Sequence, residues 1–257
     1  MPNTRVITVL NEKGGCGKTT SVIQLAYYLA KNYKVLLIDI DKQASSTIHL
    51  TGRADHKSSS YDLFKSEGDI PVKKVVVKPS GNWGNLILVP ADRRLTTLEQ
   101  ELSASIDRDR ILKRAVDRTG GFFDFIVIDT PPVLGIETRN ALIASTHYLL
   151  VTDLSEYSEI GVSNARIFAD RVKERANNSL KEIGVLLTGY EKANAKVVKE
   201  ALNNMKKEEL FLRDWIIPHS VKVLEAQRQN QALGEAFPSS IVAKTYMRFA
   251  THIMENI

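Results

Sequence analysis

The most constraining feature of this chain is a join near its start. The apolar run RVITVL (5–10) passes directly into the glycine-rich stretch NEKGGCGKTT (11–20). A helical pattern follows from Lys18 to about Lys31, with Val22, Leu25, Ala26 and Leu29 at three- and four-residue spacing. A strand, a glycine turn and a helix in that order aim backbone N–H groups and the positive end of a helix dipole at an anion. Gly14, Gly15 and Gly17 allow the backbone to curl around a phosphate. Lys18 then reaches the β- and γ-phosphates of a nucleotide, and the Thr19 hydroxyl faces Mg²⁺. The usual spacing, G-x-x-x-x-G-K-[ST], places its first glycine at position 12. Here that position holds Glu12, and Lys13 follows it.

The rest of the chain repeats the alternation of strand and helix. KVLLIDI (34–40) and FDFIVID (123–129) are nearly continuous apolar runs, as expected of parallel strands buried on both faces. NLILVPA (85–91), HYLLVTD (147–153), IGVLLTG (183–189) and DWIIP (214–218) read as further strands. A long polar helix is expected from about Leu95 to Arg118. A last helix, about Ser239 to Asn256, places Val242, Tyr246, Phe249 and Ile253 on one stripe. The pattern predicts an α/β fold with a mostly parallel, doubly wound sheet and helices on both faces. No linker-like stretch divides residues 1–257, so one domain is expected.

Composition excludes some classes. The single cysteine, Cys16, rules out an intrachain disulfide and a metal site built only from cysteines. No apolar run approaches the roughly 18–20 residues that span a bilayer, and the N-terminus lacks the apolar core of a secretory signal. A cytoplasmic protein is expected. The net charge of +5 is compatible with a polyanionic partner but equally with a solvated basic surface.

The segment KGGCGKTT resembles the deviant Walker A motif of the ParA/MinD ATPase superfamily, in which a lysine at the place of Lys13 is a hallmark and no glycine is required at position 12. The resemblance implies a P-loop NTPase fold that binds ATP and Mg²⁺, with Lys13, Gly14, Gly15, Cys16, Gly17, Lys18, Thr19 and Thr20 around the nucleotide. It implies that Lys13 reaches across a homodimer to the partner's ATP phosphates, as an arginine finger does. LLIDIDKQASST resembles the family's D-x-D-P-Q segment, with Lys42 in place of the proline. The resemblance makes Asp41 the residue that orients the attacking water near Mg²⁺. Asp129, closing FDFIVID, matches a Walker B acid that holds Mg²⁺, and Thr130-Pro131-Pro132 resembles the γ-phosphate switch. WIIPHSVKVLEAQ (215–227) resembles the family's IPRxxxxxEA segment, which sets Pro218 against the adenine and puts His219 where an arginine is common. Thr188 is expected near the base.

Within the superfamily, one cysteine excludes the iron-protein class, and the chain lacks a C-terminal tyrosine cluster and a Lys/Arg-rich terminal membrane helix. The first strand begins at once, so an N-terminal helix-turn-helix domain is not expected. The resemblance that remains is to ParA partition ATPases. It implies an ATP-bound dimer on non-specific double-stranded DNA, a ParB-like partner that stimulates hydrolysis, a nucleoid-associated location and no membrane. Metabolic P-loop enzymes and positioning ATPases of the MinD kind are the alternatives. A lysine stripe, Lys192, Lys196 and Lys199, on an expected helix from about Ala193 to Lys207 is the candidate DNA face, together with Lys222. An ordinary solvated helix face explains the same stripe.

Overall fold

The computed structural model describes residues 4–153, 158–191 and 215–257. Six parallel strands form one sheet: β1 (Arg5–Leu10), β2 (Val35–Asp39), β3 (Leu86–Val89), β4 (Phe125–Asp129), β5 (His147–Thr152) and β6 (Lys181–Leu187), in the order β3-β2-β4-β1-β5-β6. The expected parallel α/β architecture is therefore present, with β1 near the centre and the chain crossing from one side of it to the other after β4.

Alternation along each strand explains why both faces are covered. In β4, Phe125 and Val127 face one core cluster while Ile126 and Ile128 face another. In β5, Leu149 and Val151 join the first cluster, and Tyr148 and Leu150 pack into a third. Helix α1 (Lys18–Ala30) packs on the first face together with the last helix, and α2 (Ser45–Thr51) and α3 (Ser60–Lys65) follow β2. Helices α6 (Ile136–Ala144) and α7 (Ser158–Arg175) pack against each other beside β5. After Pro218 come α8 (Lys222–Arg228), α9 (Leu233–Ala236) and α10 (Ile241–Asn256).

The stripe expected on the last helix is real: Val242, Tyr246, Phe249 and Ile253 are all buried against α1. Each such side chain contributes about 1.5–3 kcal/mol. The polar ends are satisfied, since Tyr246 Oη lies 3.1 Å from Ser21 Oγ and Tyr28 Oη donates to the Ala243 carbonyl at 2.8 Å. The apolar face of α10 is thus a packing surface, not an anchor. Among the described residues no helix is long and apolar enough to cross a membrane.

Two expectations fail. The long helix over 95–118 is broken into a 3₁₀ turn (Arg93–Thr97), α4 (Leu98–Glu101), a second 3₁₀ turn (Arg108–Arg110) and α5 (Ile111–Asp117). The segment Ser103-Ala104-Ser105-Ile106-Asp107 interrupts it, because Ser and Asp side chains compete for backbone partners and favour turns. The described part of DWIIP, residues 215–218, forms only a short pairing beside the end of β6: Ile217 N–H donates to the Leu187 carbonyl at 2.8 Å, Tyr190 N–H donates to the Ile217 carbonyl at 3.1 Å, and Pro218 bridges Tyr190. Proline has no N–H to extend a ladder.

Candidate functional site

Every residue singled out around the glycine loop lies beyond the carboxyl ends of the strands, where parallel sheets bind ligands. The loop between β1 and α1 owes its shape to two glycines. Gly15 (φ 77°) and Gly17 (φ 86°) are left-handed, and a Cβ on Gly17 would stand 2.8 Å from Thr188 Oγ1. Neighbouring strands brace the loop. Asn11 Nδ2 donates to the Val151 carbonyl at 2.8 Å, its Oδ1 accepts from the Lys13 amide at 3.1 Å, and Thr188 Oγ1 donates to the Cys16 carbonyl at 2.7 Å. The Cys16 thiol is buried beneath the loop, and burial pushes its pKa up, as suits a small packing residue. Lys18 is nearly buried, with Nζ donating to the Lys13 carbonyl at 2.8 Å. Gly14 and Gly15 leave open space where a Cβ would stand.

Two cavities flank the loop and share Gly15, Gly17, Thr20 and Gln227. One, of about 550 Å³, is lined by Lys18, Thr19, Asp41, Gln43 and Pro132 among others. The second, of about 570 Å³, includes Asp153, Thr188, Pro218 and His219. Each has the size of a ligand pocket. A loop with N–H groups between them matches a phosphate chain that runs from a base on one side to a cation on the other.

The cation side is short of positive charge. In the sheet register Asp39 stands beside Asp129, and Asp41 follows at the strand end. Asp39 accepts from the Thr47 amide and hydroxyl at 2.9 and 2.7 Å, and Asp41 Oδ1 accepts from the Gln43 amide at 2.9 Å. Asp129 Oδ2 accepts from Ser46 Oγ at 2.7 Å. Its Oδ1 is buried without a hydrogen-bond partner. Burial, reinforced by Asp129, pushes the Asp39 carboxyl up in pKa. Burial does the same to Asp129, with Asp41 adding to it. An orphaned carboxylate oxygen among like charges fits a divalent cation. No cluster of three or more His, Cys, Asp or Glu that could hold a metal by itself occurs among the described residues. The donors therefore suit an ion completed by the Thr19 hydroxyl and phosphate oxygens.

The same charges set a stability prediction. A carboxyl whose pKa is raised on folding favours the fold below its unfolded pKa, and this contribution is lost as pH rises through the folded value. Asp129→Asn is therefore expected to raise the stability of the nucleotide-free protein at pH 7.5 by about 1–2 kcal/mol. The gain should vanish toward pH 4. Thermal melts across pH check it, and a lower melting temperature at pH 7.5 would count against the charge argument.

Lys13 is held differently from Lys18. Its Nζ donates to Asp153 Oδ1 at 2.9 Å, and both side chains remain about a quarter exposed. It stands at the rim, not over its own loop.

Comparison with known proteins agrees with this geometry. The family described as an AAA domain matches residues 4–182. The sporulation initiation inhibitor protein Soj of Bacillus subtilis is 32% identical over 260 residues, covering 98% of this chain and 99% of Soj. The chain belongs to the ParA family of ATPases. The chromosome partitioning protein ParA of Caulobacter vibrioides is 32% identical over 229 residues, covering 86% of this chain and 83% of that protein. Among solved structures, cobyrinic acid a,c-diamide synthase from Mycobacterium smegmatis with bound ADP and magnesium superposes with a TM-score of 0.85 at 28% identity. The match covers 98% of this chain and 95% of that one.

In this ParA-family chain the expected loop residues Lys13 to Thr20, with Asp41 and Asp129, converge at one sheet edge. Pro218 and Thr188 line the neighbouring cavity, although the Thr188 hydroxyl is turned onto the Cys16 carbonyl. His219 Nδ1 stands 3.2 Å from Glu191. Lys222 begins α8, with Nζ 5.5 Å from the Phe237 ring. Lys192, Lys196 and Lys199 lie outside the described residues. Sequence reading missed Asn11, Ser46, Asp153 and Gln227. Asp153 had a usable signal, because it follows β5 as Asp39 and Asp129 close β2 and β4, at the same edge of the sheet.

Proposed function

We propose that this chain is a DNA partition ATPase that closes into an ATP-bound sandwich dimer. The observation that carries this reading is the Lys13 side chain at the rim of the loop. Both side chains of the pair reach solvent, where an ion pair is worth about 0–1 kcal/mol, so a facing nucleotide phosphate can take Lys13 from Asp153. Lys18 would contact the phosphates in cis and Lys13 in trans. Thr19 and Asp129 would hold Mg²⁺, with Asp41 beside them. Mg²⁺ would offset charge on the β- and γ-phosphates. Asp41 would orient the water whose oxygen attacks the γ-phosphorus as the bond to the bridging oxygen breaks, leaving ADP and phosphate. Pro218 and Thr188 would border the base. Residues 1–257 would act as a single ATPase domain.

The dimer would bind duplex DNA through phosphates without reading bases, and a ParB-like partner would stimulate hydrolysis and release. Lys222 is a candidate contact, with Lys192, Lys196 and Lys199. The partition names of Soj-like and ParA relatives support this reading. The M. smegmatis enzyme carries a metabolic name on the same fold, so DNA binding is the deciding experiment. Anisotropy with random-sequence duplex, with ATP, ADP or no nucleotide, is expected to show binding only with ATP. That binding should fall steeply with salt. Absence of DNA binding in every nucleotide state would remove the partition reading.

Lys13→Ala tests the dimer separately. Nucleotide affinity of the monomer should stay within about threefold, whereas ATP-dependent dimerisation and turnover should fall about tenfold or more. Sedimentation and phosphate release check both, and an unchanged dimer would exclude the trans role.

A further inference from the structure

A third cavity, of about 500 Å³, lies far along the fold from the glycine loop, between the Arg108–Arg110 turn, the second half of α6 and the end of α7. Its floor is apolar: Ile143 and Val172 are buried and Phe168 is half-buried. Four arginines surround it. Arg139 is paired with Asp109 at 3.3 Å. The side chains of Arg110, Arg171 and Arg175 are exposed and make no hydrogen bond or ion pair among the described residues. The acids of the rim are both engaged, Asp109 by Arg139 and Asp107 by Arg114 at 3.4 Å. Ile106, beside them, is fully exposed.

We infer that this cavity docks an acidic, apolar-anchored peptide segment of a partner protein. Three uncommitted guanidinium forks ask for carboxylates, which they bind bidentately. Arg171 and Arg175 are one helical turn apart, with Cβ atoms about 5–6 Å apart. That approximates the spacing of alternate side chains on an extended chain, about 6.5–7 Å. Apolar side chains at the next alternate positions, on the same face as the carboxylates, then meet Phe168, Val172 and Ile106. A fully exposed isoleucine at the mouth gives a small soluble anion nothing, but it gives a peptide side chain a surface to cover. A DNA duplex fits less well, because its phosphates lie on a convex cylinder and it has no side chain for a concave apolar floor. The inference does not depend on the nucleotide reading, because no lining residue belongs to the loop or its carboxylates.

The test uses the full chain and a fluorescein-labelled octapeptide with Leu, Glu, Glu and Leu at alternate positions and Ser between them, followed by anisotropy. Saturable binding is expected in the micromolar range, at least tenfold weaker in the double variant Arg171→Glu/Arg175→Glu and intermediate in Arg171→Gln/Arg175→Gln. A matched Lys/Leu peptide, with Lys at the two Glu positions, should not bind. Because these side chains hold no partner among the described residues, both variants should stay folded and keep basal ATP turnover, with at most a small fall in melting temperature where Arg175→Glu opposes the dipole at the end of α7. No saturable binding, equal binding by the variants, or equal binding of the Lys/Leu peptide would each overturn the inference. So would duplex DNA binding that the Glu double variant abolishes, which would assign the arginines to phosphates.

Discussion

Lys18→Ala should reduce ATP turnover at least about a thousandfold. Single donors aimed at developing negative charge are worth about 10²–10³ in rate, and Lys18 combines such a donor with a full charge in a nearly buried place. It is also the first residue of α1, so its amide and ammonium serve the same phosphate region. Its Nζ donates to the Lys13 carbonyl, a neutral acceptor that a phosphate displaces. Phosphate release at saturating ATP measures the loss, with a thermal melt to confirm that the variant is folded. Undiminished turnover would remove the loop from the chemistry altogether.

Asp41→Ala should leave nucleotide affinity within about threefold and ATP-dependent dimerisation intact, while turnover falls about 10²–10³-fold. A residue that positions the attacking water acts on the chemical step and not on ground-state binding, and general-base-type groups contribute about 10²–10⁴. Asp41 is nearly buried, and the Gln43 amide fixes one of its oxygens. Its charge opposes Asp129 in the folded protein. The alanine variant should therefore melt no lower than the parent, which separates loss of chemistry from loss of fold. Wild-type turnover would take the role away from Asp41.

The parts of the site that are contiguous in sequence were legible in it. Gly15, Gly17, Lys18 and Thr19 lie on one turn, and their neighbours in the chain are their neighbours in space. Asp129 was legible because a buried strand that ends in a carboxylate points to the active edge of a parallel sheet. The Lys13–Asp153 pair was not, since its members are 140 residues apart and only the order of strands brings β5 beside β1. Thr188 shows the same difficulty: its hydroxyl bonds the Cys16 carbonyl, 172 residues away, and only the order of strands brings the two together. The broken helix over 95–118 failed for a local reason. Apolar spacing at Leu95, Leu98 and Leu102 continues the helical period up to the point where serine and aspartate turn the chain.

The braces beneath the glycine loop bear on how the protein comes to exist on a ribosome. Thr188 follows Cys16 by 172 positions, and Val151 follows Asn11 by 140. A nascent chain carries the glycines long before it carries the atoms that hold them in shape. Contacts so distant in sequence form late. Until β6 emerges, the Cys16 carbonyl and the Thr188 hydroxyl have not met, and the loop is an open turn with no fixed cradle. A fragment released before β6 therefore lacks the Thr188 hydroxyl that holds the Cys16 carbonyl, one of the braces that give the loop its shape.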